Sequence, residues 1–378
     1  MTLSKQVALV SMGYSGFSTV TPQLSFKEMM FEAANMAYAQ VGIDPRAEVD
    51  SFICCEEDLL EGISITDEYM PDQLGGAQRA LCTISQDGLN GVVQGYMQIT
   101  SGIADLVVVE SHVKFSNVLS KRDVHSLAMD PYLERPFLDD GIPLAALEMR
   151  RYMHENGVSE ESVAEVVVKN KRNGLKNPRS SYSARLTLDE VMRSEELWSP
   201  LRRSYVAQPA DACVVAVLAS YAKARSITDY PIWIEGVGWF SESSWIGLRD
   251  FSRALYAEGA SKMAYKMAKI DNPSKAFDFV EIDDSIAFKE LQHLEALGIY
   301  PQGKAAEATL KGETKEDGSM PVNPSGGSLS LGNLAETTGL ARLLEAFETL
   351  KKKDYSKALV QSWRGIPTST ATVVVLGV

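Results

Sequence analysis

The stretch from Asn323 to Ala346, NPSGGSLSLGNLAETTGLARLLEA, decides how the rest of the chain is read. It opens as a loop around Gly326 and Gly327 and runs into a segment with helical apolar spacing. Glycine-rich loops that lead into helices bring backbone N–H groups up to a ligand. A reactive side chain is expected at the tip, after Gly332, and the residue there is Asn333. The loop has the frame of a catalytic turn without its reactive group.

On either side of it, apolar strands alternate with amphipathic helices. QVALVSMG, SFICC, DLVVVES and DACVVAVLAS read as buried strands. FKEMMFEAANMAYAQVGI carries helical spacing and ends at Gly42, and GLNGVVQGYMQIT reads as a helix between two strands. From about Lys114 to Tyr205 the texture is more charged, as expected of a helical excursion over the sheet. The second half repeats the plan: PIWIEGVGWF resembles the first strand, GASKMAYKMAKI the first helix, and AFDFVEID the strand at SFICC. A further helix from Glu336 and a last strand, ATVVVLGV, close the chain. The expectation is an α/β protein of two pseudo-duplicated halves, 1–225 with the excursion 114–205, and 226–378.

The chain has 50 acidic residues against 37 basic ones, which argues against nucleic acid as the main partner. No apolar run reaches membrane-spanning length, and the first residues read as a strand rather than a signal peptide, so a cytoplasmic protein is expected. Cys54, Cys55, Cys82 and Cys213 show neither disulfide nor metal spacing, and the four histidines form no ligand motif, so no metal is expected. Between Asp50 and Gln78 stand eight acidic residues and no Lys or Arg, a solvated loop or a surface for a basic partner.

The order of VALVSMG, TSGIADLVVVES, ADACVVAVLAS, VEIDDSIAFKELQHLEALGI and VNPSGGSLSLGNLAETTGLARLLEA resembles the thiolase superfamily, especially its sterol-carrier-protein-type and archaeal branch. The resemblance spans nearly the whole chain. It implies a layered αβαβα fold, a homodimer, chemistry on an acyl-coenzyme A thioester with coenzyme A as substrate, and in some members a small zinc-finger and oligonucleotide-fold-like partner subunit.

All four reactive positions of the family differ here. Counting back from Ser101-Gly102, the nucleophilic cysteine falls on Ser85, and Cys82 stands three residues too early. The histidine of the third loop is Asp283, the glycine-histidine pair of the fourth is Gly332-Asn333, and the C-terminal loop, QSWRGIPTSTATVVV, holds no cysteine. Serine needs a positioned base to attack, and a serine that opens a helix more often caps it. Asp283 is either a carboxylate of raised pKa or, with Asp284, a solvated strand end. Asn333 either donates to a developing oxyanion or holds a turn. Gly88, Ser325, Gly326 and Gly327 would let the backbone approach a thioester, and Lys169, Lys171 and Arg172 would dock coenzyme A phosphates unless they line a solvated helix face.

Two functions fit these residues, and a third falls with the missing cysteine. One is cleavage or formation of a C–C bond in a coenzyme A thioester without the cysteine, either thiolysis of a 3-ketoacyl ester, as the heteromeric benzoylsuccinyl-CoA thiolases suggest, or a retro-aldol reaction. Thiolysis leads narrowly, because thiolase-like aldolases favour a tyrosine where Asn333 stands. The second is a non-catalytic acyl-CoA-binding or scaffold subunit. The third, a polyketide-type condensing enzyme, needs the missing cysteine.

Overall fold

The computed structural model describes residues 6–60, 65, 69–136, 141–365 and 369–378. Parts of the acidic run between Asp50 and Gln78, of RPFLDDGIPL, of the loop before the last strand and of the N-terminal stretch lie outside the described residues.

Nine strands make one strongly mixed sheet: β1 (Val7–Ser18), β2 (Ser51–Cys55), β3 (Ala80–Ile84), β4 (Leu106–Val113), β5 (Asp211–Ser220), β6 (Ile232–Ser241), β7 (Phe279–Glu281), β8 (Lys357–Arg364) and β9 (Thr370–Gly377). Their spatial order is β3-β2-β4-β5-β1-β6-β9-β8-β7. The halves meet where Val7–Leu9 of β1 pairs antiparallel with Ile232–Ile234 of β6. Outward from that seam each side repeats the same sequence of pairings: antiparallel, antiparallel, then parallel. Beyond β2 lies β3, and beyond β7 its counterpart is reduced to a parallel bridge between Val280 and Val322.

The helices used below are α1 (Phe26–Val41), α2 (Gly88–Ser101), α3 (Ile142–Asn156), α4 (Glu160–Asn173), α5 (Leu255–Ala268), α6 (Ala287–Ala296), α7 (Gly327–Leu331) and α8 (Thr338–Lys352). Alternation along the strands sorts them into five layers, αβαβα. Val7 and Leu9, with Val374 and Leu376, face a central core that holds Val92 and Val93 of α2 and Leu343 and Leu344 of α8. Ala8 and Val10 turn the other way, onto α1. Val373 and Val375 likewise face the opposite outer layer, which holds α5 and α6 together with α3 and α4 of the excursion.

The duplication reaches individual contacts. A Cβ added at Gly13 of β1 would lie 2.0 Å from Ala33 O, 2.6 Å from Ala37 N and 3.0 Å from Met36 Cβ. At Gly238 of β6 the neighbours are Ala260 O at 2.0 Å, Ala264 N at 2.8 Å and Met263 Cβ at 2.9 Å. Both helices carry Met-Ala-Tyr at this place, and both end in a left-handed residue four positions after the tyrosine, Gly42 and Lys269. A glycine on each inner strand lets its helix lie directly on the sheet.

Two elements escape the sequence pattern. ALCTI is the rim strand β3, half exposed and lacking a clean alternation. QSWR, read above as part of a loop, is the end of β8, where Gln361 and Ser362 are buried polar residues.

α2 shows how close the packing is. Its Gly88, Gly91 and Gly95 form a stripe facing β4 and its neighbours; a Cβ at Gly91 would sit 2.3 Å from Cys55 Sγ and 2.7 Å from Val109 Cγ1. Gly91→Ala should therefore destabilise the protein by about 1–3 kcal/mol despite alanine's better helix propensity, as read by urea unfolding. A neutral or stabilised variant would contradict this packing.

Candidate active site

The loops at one end of the central layer enclose a cavity of about 260 Å³. Its polar wall holds Glu57, Asp87, Asp283, Asn333, Glu336, Trp363 and Arg364. Apolar side chains complete the lining, among them Leu60, Phe115, Val124, Met129, Ile142 and Ile286, with His125 packed edge-on against Phe115. Asp283 follows β7, Arg364 ends β8, and Asp87 precedes α2, so the sheet and the central helices together position the group.

Asp87, which the sequence reading passed over, is the N-cap of α2: its Oδ1 accepts from Leu89 N at 2.8 Å. Its Oδ2 accepts from Gly339 N, in the first turn of α8, at 2.9 Å. One carboxyl thus bridges the N-termini of both central helices, where negative charge is favoured. Burial outweighs these donors and pushes the carboxyl up to about 7, with the Asp283 charge raising it further. Ser85, expected as cap or nucleophile, is neither the cap nor part of the cavity wall. It is exposed, its Oγ lies 3.3 Å from Glu57 Oε1, and its carbonyl accepts from Arg364 at 3.0 Å. Arg364 also pairs with Glu57.

Asp283 is buried, which settles against a solvated strand end. Gln361 Oε1 accepts its N–H at 3.0 Å, and its carbonyl pairs with His293 Nδ1 at 2.9 Å. Its Oδ1 accepts from Ser285 N and Oγ at 2.8 and 2.7 Å, leaving Oδ2 without a hydrogen bond among the described residues. Burial raises its pKa above the ordinary carboxylate range, opposed by the Ser285 hydrogen bonds. Asn333 is held by its backbone to Gln208 and Ala210, and its Oδ1 accepts from Ala335 N at 3.0 Å. That turn commits the amide oxygen and leaves the Nδ2 donors for the cavity.

The glycine-rich loop serves the protein rather than reaching for a ligand. Gly326 and Gly327 have φ of 108° and 67°, and a Cβ at Gly327 would lie 2.0 Å from Asp284 Oδ2. Asp284 is the loop's anchor: it accepts from Ser328 N, Asn170 Nδ2 and Arg342. Ser325 donates its N–H and hydroxyl to buried Glu281. Gly88 is likewise filled from outside, with Leu340 Cγ 2.6 Å from its would-be Cβ. Lys169 is buried and paired with Glu290 at 3.1 Å, so it is a structural ion pair and not a phosphate-docking group. Lys171 donates to Tyr182 O at 2.9 Å, and burial lowers it to about 8, while Arg172 is exposed on α4. The site therefore gathers Asp283 and Asn333 from the sequence reading, sets Ser85 at its rim, and adds Asp87, Glu336, Trp363 and Arg364. Asp87 had a legible signal, an aspartate directly before a helix-opening glycine. Trp363 and Arg364 had none, since they end a strand read as loop. Among the described residues no cysteine lines the cavity, and Cys54, Cys55 and Cys213 are buried in the sheet. No group of three or more metal-ligating side chains converges among them, and no helix is long and apolar enough to cross a membrane.

Residues 241–377 match the family model described as thiolase C-terminal domain-like. The acetyl-CoA acetyltransferase of Methanothermobacter thermautotrophicus is 27% identical over 358 residues, 92% of this chain and 91% of that protein. The chain is thus similar to thiolases, over nearly its whole length in sequence and over its last third in the family model. Benzoylsuccinyl-CoA thiolase subunit BbsB of Thauera aromatica is 26% identical over 55% of this chain and 54% of that protein. The 17-hydroxy-3-oxo-4-pregnene-20-carboxyl-CoA lyase of Mycobacterium tuberculosis is 24% identical over 97% of this chain and 98% of that protein. Among solved structures, the Ltp2-ChsH2(DUF35) aldolase superposes with a TM-score of 0.85 at 23% identity, covering 99% of this chain and 98% of that one, a likeness of fold.

Because Asp87 is raised from 3.8 to about 7, the folded state holds its proton more tightly than the unfolded chain. Its contribution is fully present below pH about 4 and is lost as pH rises through about 7. Asp87→Asn, which keeps an acceptor oxygen, should raise Tm by about 2–4 °C at pH 8 and leave it unchanged near pH 4. Thermal unfolding at the two pH values checks the sign. Gly327→Ala should cost at least about 2 kcal/mol, from both the positive φ and the Asp284 clash; denaturant midpoints read it.

Proposed function

We propose that this chain breaks or forms a carbon–carbon bond in a coenzyme A thioester without a covalent acyl-enzyme, and that it acts as a retro-aldolase on 3-hydroxyacyl thioesters. The observation that carries the reading is a cavity where two buried carboxyls, Asp87 and Asp283, meet the amide of Asn333 with no cysteine on the described wall. Asp283 Oδ2 takes the proton of the 3-hydroxyl, the bond between C2 and C3 breaks, and its electron pair moves into the thioester as an enolate. Asn333 donates to the enolate oxygen. Asp87, protonated near neutral pH, returns a proton to C2, so an aldehyde or ketone and a shortened thioester leave. Burial raises both carboxyls, Asp87 to about 7 and Asp283 above the ordinary carboxylate range, which suits them to proton transfer. The full-length similarity to a carboxyl-CoA lyase supports this direction.

The second reading is direct thiolysis, in which Asp283 deprotonates the coenzyme A thiol for attack on a 3-ketoacyl ester. The similarity to acetyl-CoA acetyltransferases favours it. Both readings leave room for a small partner subunit and for a second copy of the chain.

The test is incubation with coenzyme A and panels of 3-hydroxyacyl and 3-ketoacyl thioesters, with and without any co-purifying small subunit, followed by mass spectrometry. A carbonyl product from the hydroxyacyl ester, with no adduct on Ser85, is the expected result. Asp283→Asn should lower kcat/KM by about 10²–10⁴-fold and Asn333→Ala by about 10²–10³-fold, with Ser85→Ala near wild type. The rate should fall on the acid side, with a limb above the usual carboxylate range. Cleavage of ketoacyl esters alone would move the assignment to thiolysis; tight binding without turnover in every combination would leave a scaffold.

A further inference from the structure

His293 belongs to no motif in the sequence, yet it is buried directly behind the site. It stands on α6, and its Nδ1 lies 2.9 Å from the backbone carbonyl of Asp283. A carbonyl can only accept, so Nδ1 carries the proton. Nε2 lies 3.1 Å from the hydroxyl of Tyr256, on α5, and Tyr256 Oη lies 2.8 Å from Lys289 Nζ. An ammonium can only donate, so the tyrosine oxygen accepts from Lys289 and its O–H donates to Nε2. The donors therefore run one way, from Lys289 to Tyr256, from Tyr256 to His293, and from His293 to Asp283. Lys289 gives its two other N–H groups to Glu148 of α3 and to Gln292 Oε1, the latter at 2.8 Å. The same Tyr256 ring stacks on Trp363 of the cavity lining, with centroids 6.2 Å apart and planes at 15°.

We propose that His293 is a positioning residue for Asp283, locked in its Nδ1–H form by Tyr256 and Lys289, and that this lock aims Asp283 Oδ2 at the cavity. The proposal rests on the proton-transfer role given to Asp283 above and adds what places it. Asp283 lies beyond the end of β7, and side chains hold both its peptide groups: Gln361 takes the N–H and His293 supplies the carbonyl. Oδ1 is committed to Ser285, so the backbone and one oxygen together fix where the other points. A displacement of about 1 Å at a reacting group can cost about 10²-fold in rate, so a rigid anchor matters there. Stability alone gives no reason for the arrangement. Glu148, Lys289 and the Arg249 guanidinium are buried together, and apolar residues of similar volume commonly replace such groups without loss. Burial and the Lys289 charge push His293 down to about 3. Burial lowers Lys289 to about 8 against the pull of Glu148, with Arg249 and Glu242 the other charges facing it. The imidazole is thus neutral at working pH, and its partners set its tautomer.

The test takes kcat and KM on whichever thioester of the panel is turned over, together with the ring ¹⁵N shifts of labelled histidine. His293→Leu removes the donor to Asp283, whereas His293→Asn keeps a side-chain N–H near the place of Nδ1–H. The leucine variant should lower kcat by about 10–10²-fold with KM within about twofold, and the asparagine variant should recover most of that loss. In the wild type one histidine, missing from the spectra of both variants, should show the neutral Nδ1–H pattern unchanged between about pH 5 and 8. Tyr256→Phe keeps the ring on Trp363, removes one hydrogen bond to His293 and should lower kcat about fivefold; it serves if His293→Leu folds poorly. Equal kcat in the leucine and asparagine variants, a His293 ring that titrates in that range, or a Tyr256→Phe enzyme as fast as wild type overturns the positioning role and leaves the proton-transfer reading intact. Absence of turnover in the wild type overturns that reading, and this proposal with it.

Discussion

The buried pairing of Asp284 with Arg342 is the constraint on which the site depends. Arg342 reaches from α8 to within 3.0 Å of Asp284 and also meets Ser328. Asp284 in turn takes the N–H of Ser328 at the start of α7 and the amide of Asn170 from α4. Four segments distant in sequence are joined through one carboxylate: the end of β7, the glycine-rich loop, the excursion and a central helix. A charge this deeply buried is tolerable only when its lone pairs are so fully met, and removing a partner would leave it uncompensated. Gly327 follows from it, because any side chain there would occupy the carboxylate's place.

Asp283 inherits its position from its neighbour. Asp284 fixes the turn after β7, Gln361 and His293 hold the backbone of Asp283 on both sides, and the side chain is left with one oxygen toward the cavity. Asn333 is placed by the far end of the same loop. Asp87 comes from the other half and is held by α8 as much as by its own helix. The duplicated architecture thus brings one carboxyl from each half to a single cavity, and burial between two helix layers raises both. That electrostatic setting suits proton transfer and gives no advantage to a serine nucleophile.

Much of the fold was legible because its signals are local. β1, α1, β2, α2, β4, β5, β6 and α5 show in their periodicity, and the end of α1 shows in Gly42, while its Ser25 capping box was seen only in the structure. β3 and β8 were not legible: one is a half-exposed rim strand, and the other buries Gln361 and Ser362 for the sake of a loop outside it. In the site, Asp283 and Asn333 could be found by position. Ser85, which the count back from Ser101-Gly102 singled out, is exposed and faces Glu57.

By itself the sequence determined the αβ alternation, the repeat of Met-Ala-Tyr helices over glycine-bearing strands, and the absence of a cysteine at the expected place. These are properties of neighbouring residues and of spacing. Only the tertiary structure decided that Asp87 caps two helices, accepting from Gly339 across 252 positions. It also decided that Lys169 is a buried ion pair, and that Gly327 makes room for Asp284. Those outcomes depend on which faces meet and what each buried polar group then finds within reach, and spacing along the chain does not encode that.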